Sequence, residues 1–363
     1  MKLYTCSKCN NLLYFENTLC LHCNSIVGFD ISSVSMLTLS AEGNNQFTDI
    51  TNTGTHWRFC ANHTHNACNW LVPSNSIGQF CFACNLNRTI PFLGKPANLA
   101  EWQRIETAKH RLIYSLVRLG LPIEKKQGDA KAGLIFEFLE DGNPARKVIT
   151  QHDDGRIELN INEADEVQRI KNQIELGEQY RTLLGHFRHE IGHYYWDVFY
   201  RNNEQASIAF RKVFGDERVD YDEALKKYYA TKAHANWNQQ YISQYATSHP
   251  WEDWAETWAH YLHLMDTLET AYAFNIVVDT SNALDKPEVK ASIHTDPYTL
   301  ENFDDIFPLW LPLSFAVNSL NRSMGHPDFY PFVIAPPVIT KLKFIHEEIK
   351  ARKKHSSAEL KYN

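Results

Sequence analysis

Gly185-His186-Phe187-Arg188-His189-Glu190-Ile191-Gly192-His193 sets His189, Glu190 and His193 in an HExxH spacing. On a helix, positions i and i+4 share a face, so two imidazoles can grip one metal ion while Glu190 stands close enough to take a proton from water activated there. That is the working end of a zinc hydrolase. So short a pattern also arises by chance, and the flanking residues must carry the helix. Leu183, Leu184, Phe187, Ile191, Tyr194, Tyr195 and Trp196 supply apolar positions on both sides, and no proline interrupts 175–200. The pattern predicts a buried helix of several turns. Two histidines and a carboxylate buried together are costly unless they share a partner, which favours a metal over a merely structural trio.

A catalytic zinc needs a third protein ligand and one open position for water. His249-Pro250-Trp251-Glu252-Asp253-Trp254-Ala255-Glu256-Thr257-Trp258-Ala259-His260 offers candidates, because Pro250 belongs in a helix's first turn and helical spacing continues to Leu264. Glu252 and Glu256 then share one face, and either could complete the site. Asp216, Glu217 and Asp220, near Gly215, read as a salt-bridged structural element. His186, His260 and His263 read as structural histidines, although His260, two turns after Glu252, is within reach of a cleft. No HxxGxxH continuation follows His193, which excludes a third histidine of the metzincin kind.

HExxH followed by a helix bearing Glu-x-x-x-Glu resembles the gluzincin peptidases, such as thermolysin and the lethal-factor proteases. The resemblance implies that Glu252 is the third zinc ligand and that Glu256, one turn on, hydrogen-bonds a zinc-binding histidine. It also implies a role for Tyr245, seven residues before Glu252, in stabilising the oxyanion of the reaction. Nearly the whole chain further resembles a bacterial group of zinc-binding metallopeptidases with an N-terminal zinc-ribbon domain. The residues behind this are Cys68-Asn69-Trp70-Leu71, 84–91 (Cys-Asn-Leu-Asn-Arg-Thr-Ile-Pro), 189–196 (His-Glu-Ile-Gly-His-Tyr-Tyr-Trp), Phe214-Gly215-Asp216-Glu217-Arg218 and Glu252-Asp253-Trp254-Ala255-Glu256.

All eight cysteines lie within the first 84 residues. Cys6-Ser7-Lys8-Cys9 and Cys20-Leu21-His22-Cys23 form two knuckles able to present four thiolates to one Zn²⁺. Cys60, Cys68, Cys81 and Cys84 form a second set, with His63 and His65 as possible substitutes for one of them. Trp70, Leu71 and Phe82 would be the small apolar core beside it. Such clustering favours metal over a disulfide scaffold, which spreads its bridges through the domain it staples. Closed four-thiolate sites have no open position, so these two zinc ions are expected to be structural.

The chain has 363 residues, a net charge of −7 and 44% hydrophobic residues, enough for more than one packed unit. No long basic run points to nucleic acid and no apolar run approaches a bilayer span. The start runs straight into a cysteine motif, so a cytoplasmic protein is expected. The fold class expected is α+β: a double zinc ribbon over 1–95 with two four-cysteine zinc sites, a zincin-like and mainly helical domain over 96–352 with a small antiparallel sheet, and a polar tail over 353–363. Within it, 31–54 read as short strands with loops, 97–119 as a helix, 134–139, 147–150 and 156–161 as strands, Asp141-Gly142-Asn143-Pro144 as a turn, and 163–175 as a helix.

The function expected is hydrolysis of peptide bonds with one catalytic and two structural zinc ions, Glu190 as general base, and the ribbon engaging substrate or a protein partner. In the ribbon aromatic residues interleave with few basic ones, which favours protein over nucleic acid. Two other readings fit the motif: a catalytically idle zincin-fold binding module, and a zinc hydrolase acting on an amide outside the peptide backbone.

Overall fold

A computed structural model describes residues 2–128, 130, 132–141, 148, 150–176, 182–231, 235–282 and 289–353. Two compact units emerge, one within Met1–Lys171 and the other Asn172–Arg352. Most of the turn expected at 141–144, half of the strand expected at 147–150 and nearly all of the polar tail fall outside the described residues. Among those described, no helix is long and apolar enough to cross a membrane.

In the first unit, β1 (Tyr4–Thr5) and β2 (Leu12–Leu13) form a hairpin around the first cysteine knuckle. β3 (Ile26–Asp30), β4 (Ser35–Gly43), β5 (Gln46–Asp49), β6 (Asn52–Phe59) and β7 (Leu71–Pro73) follow as an antiparallel sheet in sequence order. Leu39, Trp57, Phe59 and Leu71 form the buried cluster on its face, with Ile26, Leu37 and Phe47 packed against them. A cluster of this size supplies little stability by itself, and metal cross-links are the usual supplement.

A second sheet contains β8 (Asn87–Thr89), β9 (Ile135–Leu139), β10 (Gln151–Asp153) and β11 (Arg156–Asn160), in the order β10-β11-β9-β8. The antiparallel arrangement expected from sequence holds for the β10–β11 hairpin, whose turn residues Asp154 and Gly155 have φ of 49° and 81°. The β9–β11 and β8–β9 pairs run parallel. For β8 and β9 the reason is the connection: α1 (Pro96–Leu119) lies between them, and a helical crossover returns the chain in the same direction. α1 begins with Pro96 in its first turn and stops at Gly120, left-handed at φ 72°. Its Tyr114 meets Phe15 and Phe29 at ring separations of 5.3 and 6.2 Å, and Phe29 meets Trp70 at 5.0 Å, so the helix is packed onto the ribbon.

α2 (Glu166–Leu176) leads to the second unit, which is built on α3 (Leu183–Tyr200), α4 (Glu204–Phe214), α5 (Tyr221–Thr231), α6 (Pro250–Ala273), α7 (Phe303–Ser323) and α8 (Pro336–Arg352), with a short hairpin of β12 (Val277–Asp279) and β13 (Lys290–Ser292). α3 and α6 are its centre. Tyr195 and Phe199 of α3 pack on Trp254 and Trp258 of α6, with Tyr195 and Trp258 stacked at 5.1 Å. Between the helices lies Gly192, where a Cβ atom would stand 3.0 Å from Cα of Ala255 and 3.1 Å from Cβ of Trp258. The indole N–H of Trp254 donates to the Gly192 carbonyl at 2.8 Å. Arg188 and Asp266 form a buried ion pair further along the same interface, and Tyr298 donates to the other Asp266 oxygen at 2.5 Å.

α8 is fastened to α6 by Lys341, whose ammonium lies 2.6 Å from Asp253 Oδ2 and donates to the Gln240 carbonyl at 2.8 Å. Both residues are buried. Burial pushes the Asp253 carboxyl up to about 7 while Lys341 pulls against that rise. Removing one partner leaves a buried charge without its counterion, whereas replacing both with apolar groups need not. Lys341→Ala should therefore cost about 3–5 kcal/mol in chemical denaturation, and Asp253→Leu combined with Lys341→Met should recover most of it. Equal losses in the single and double variants would show that the pair contributes only packing volume.

Candidate active site and metal centres

α3 starts where Thr182 accepts the Gly185 N–H at 2.9 Å, which sets the turn on which His189 and His193 share a face. Their Nε2 atoms are 3.1 Å apart. α6 starts where His249 Nδ1 accepts the Trp251 N–H at 3.0 Å and Pro250 takes the first turn, placing Glu252 opposite the two histidines. Glu252 Oε2 lies 3.0 Å from His189 Nε2 and 3.4 Å from His193 Nε2.

These three atoms fit a zinc ion. Ligand atoms about 2.0–2.1 Å from a tetrahedral centre stand roughly 3.3–3.4 Å from one another. The electrostatics agree with the spacing. His189 Nδ1 donates to Glu256 Oε1 at 2.7 Å, which turns Nε2 toward the Glu252 carboxylate oxygen. Positive charge is needed across that 3.0 Å contact, and either a proton on Nε2 or a metal ion supplies it. Burial alone would depress the His189 pKa, yet its hydrogen bonds to Glu252 and Glu256 hold it well above the ordinary range. Burial would raise Glu252, and the two histidines instead hold it well below.

Glu190 is half-buried beside this cluster. Burial raises its carboxyl above the ordinary value, Glu252 and Glu256 add to the rise, and His189 and His193 oppose it. A carboxylate moved toward neutrality is a better proton acceptor for work near pH 7. The Tyr245 ring lies 6.0 Å from that of His189, and Trp251 covers His193 at 3.8 Å.

Sequence reading passes over Tyr221. Its hydroxyl donates to Glu252 Oε1 at 2.7 Å and is itself hydrogen-bonded to Tyr245. Nothing local marks it, because only the docking of α5 against α6 gives it a partner. The neighbouring acids are engaged elsewhere: Asp216 with Arg218 at 2.7 Å, Glu217 with Arg211 at 2.5 Å, and Asp220 with the Glu223 N–H at 2.8 Å. His260 meets the Tyr330 hydroxyl at 2.7 Å, and His263 contacts Arg188.

All eight cysteines are free, in two clusters. In the first, Cys6 is 3.6 Å from Cys23 and Cys9 is 3.6 Å from Cys20. Its two knuckles repeat one design. Asn10 and Asn24, left-handed at φ 59° and 56°, each return an N–H at 2.8 Å to the carbonyl of the first cysteine of the pair. The second cluster gathers Cys60, Cys68, Cys81 and Cys84, all buried, with backbone N–H groups of Cys81, Trp70 and Cys84 directed at the sulfurs of Cys60, Cys68 and Cys81. His63 and His65 do not join it: His63 bonds the Cys68 carbonyl at 3.0 Å and stacks on Phe59, and His65 lies edge-on to Trp102. The histidine that does reach these sulfurs is His110 of α1, with Glu106 and Lys109 beside it. Local spacing cannot reveal a residue 26 positions beyond the last cysteine.

Residues 98–348 match the profile of the family described as "Putative zinc-binding metallo-peptidase", and residues 3–95 match a zinc-ribbon domain. The chain belongs to this metallopeptidase family. Curated relatives from Mycobacterium bovis and Mycobacterium tuberculosis, each carried as an uncharacterized protein, are 40% identical over 346 residues, covering 95% of this chain and 94% of theirs. No solved structure matches. In this member of the family the three-atom cluster lies across the α3–α6 interface, which is tightly packed at Gly192. Gly192→Ala should cost about 1–3 kcal/mol through overpacking and lower the zinc retained at His189 and His193. A variant with unchanged melting temperature and metal content would show that the helices have room to spare.

Proposed function

We propose that the chain is a zinc-dependent peptidase that cleaves peptide bonds in protein or peptide substrates, with His189, His193 and Glu252 holding the catalytic ion. The observation that carries this reading is the triangle of Nε2, Nε2 and Oε2 atoms with Glu190 beside it on the same helix. When bound there, zinc supplies Lewis acidity that lowers the pKa of water toward ~7 and polarises a carbonyl. Glu190 accepts the proton of the attacking water and returns it to the leaving amine. Glu256 fixes the tautomer and orientation of His189, and Tyr221 fixes the Glu252 carboxylate in the same manner. Tyr245 donates to the oxyanion as the carbonyl carbon becomes tetrahedral.

In the same reading, residues 1–95 form a double ribbon with two structural zinc ions, residues 96–352 form the peptidase module, and the ribbon engages substrate or a protein partner. Thiolate pairs kept for metal suit a reducing, cytoplasmic setting.

The test is metal and activity measured together. About three zinc ions per chain are expected, one of them removed first by chelator. Glu190→Gln should keep all three and lose at least ~10²-fold in kcat/KM. Glu252→Ala should lose one, and Glu256→Ala should retain it with weakened affinity. A comparison of protein termini in cells expressing wild type or Glu190→Gln supplies the substrate. Two zinc ions in wild type, with none lost on replacing His189, would refute the enzyme reading.

A further inference from the structure

Helix α1 carries three ionisable side chains into the second cysteine cluster, and the cluster has more donors than one tetrahedral ion needs. His110 is buried, and its Nδ1 lies 2.6 Å from the Glu106 backbone carbonyl. A carbonyl only accepts, so Nδ1 carries the proton and Nε2 of the neutral ring carries the lone pair. That lone pair is 3.3 Å from Cys68 Sγ, 3.6 Å from Cys84 Sγ and 3.9 Å from Cys81 Sγ. For one nitrogen at about 2.0–2.1 Å and three sulfurs at about 2.3 Å from a tetrahedral ion, the expected nitrogen–sulfur separation is about 3.6 Å.

We propose that His110 is a ligand of the second metal centre, which is then held by Cys68, Cys81, Cys84 and His110 Nε2, with Cys60 as the surplus donor. Cys68, Cys81 and Cys84 form a triangular face that can be completed by either Cys60 or His110. An ion on the His110 side uses the ring nitrogen that already stands 3.3–3.9 Å from all three sulfurs, the spacing of co-ligands on one ion. The buried acid on α1, Glu106, pairs through Oε2 with the Lys109 ammonium at 2.8 Å and stands farther off, at 3.6 Å, from His110 Nδ1. Cys60 still receives the Cys81 N–H at 3.3 Å, which suits a thiol outside the coordination shell as well as a thiolate inside it.

The consequence is structural. A centre completed by His110 is not contained in the ribbon, whose profile ends at residue 95, and the metal becomes a cross-link between the ribbon and α1. The assignment concerns a centre separate from the HExxH site and does not depend on peptidase activity.

Cadmium-113 NMR on the full-length chain tests it, since the resonance of each bound ion moves upfield as nitrogen replaces a thiolate. The wild-type chain should give one four-thiolate resonance and one three-thiolate, one-nitrogen resonance, apart from any signal of the HExxH site. Cys60→Ser should leave both where they are. His110→Ala and His110→Gln should each shift or abolish the second alone. Two four-thiolate resonances in wild type, with one lost in Cys60→Ser, would overturn the proposal without recourse to a histidine variant. So would retention of the wild-type spectrum by His110→Gln, because glutamine can replace an N–H donor to sulfur but not an imidazole ligand.

Discussion

Gly192 lets α3 and α6 approach until a methyl group at that position would stand 3.0 Å from the Cα of Ala255. The meeting of the two histidines with Glu252 and Glu256 follows from that approach. The histidines lie on one helix and the carboxylates on the other, so the cluster is assembled by tertiary contact and not by a local motif. The Trp254 N–H bonded to the Gly192 carbonyl, the stacked Tyr195 and Trp258, and the Arg188–Asp266 pair all hold the same interface from different points. Positioning within a few tenths of an ångström needs such redundancy, since a site on rigid helices is fixed only as well as the helices are fixed to each other.

That packing also sets the electrostatics. Glu252, Glu256 and Glu190 converge on two imidazoles in a largely buried setting, where uncompensated negative charge is expensive. The direction of each shift records the same field: His189 is held high, Glu252 low and Glu190 raised. The three carboxylates thus differ although they are chemically alike. One faces the imidazole nitrogens, one receives the Nδ1 proton of His189, and one stands aside with its proton affinity increased. Environment gives identical groups different proton affinities.

What can be read from sequence depends on how local each constraint is. HExxH and the CxxC knuckles are visible because helix pitch and the reach of a cysteine fix their spacing within a few residues. Glu252 and Glu256 cannot be separated by periodicity, since both lie on one face; the difference arises from which turn of α6 meets His189 Nε2 and which meets Nδ1. Strand direction in the sheet of β8–β11 escapes sequence reading for a related reason. Alternating apolar residues reveal a strand, but a helical crossover between β8 and β9 decides that they run parallel. His110 and Tyr221 are invisible altogether, because each acquires its meaning from a partner far away in the chain.

The two kinds of donor cluster differ most in access. The sulfurs of the second cysteine cluster belong to buried residues, whereas the His189 side chain keeps 14% of its exposure and Glu190 is only half-buried. A closed thiolate site has nowhere to admit water and contributes its binding free energy to folding. An imidazole and carboxylate site reached from one side can admit both water and a substrate carbonyl. The ribbon presents a small apolar sheet face, the setting in which a metal cross-link adds most to folding, whereas the helical unit buries α3 and α6 against each other. The second cysteine cluster and the HExxH cluster thus differ in how far their donors are withdrawn from solvent.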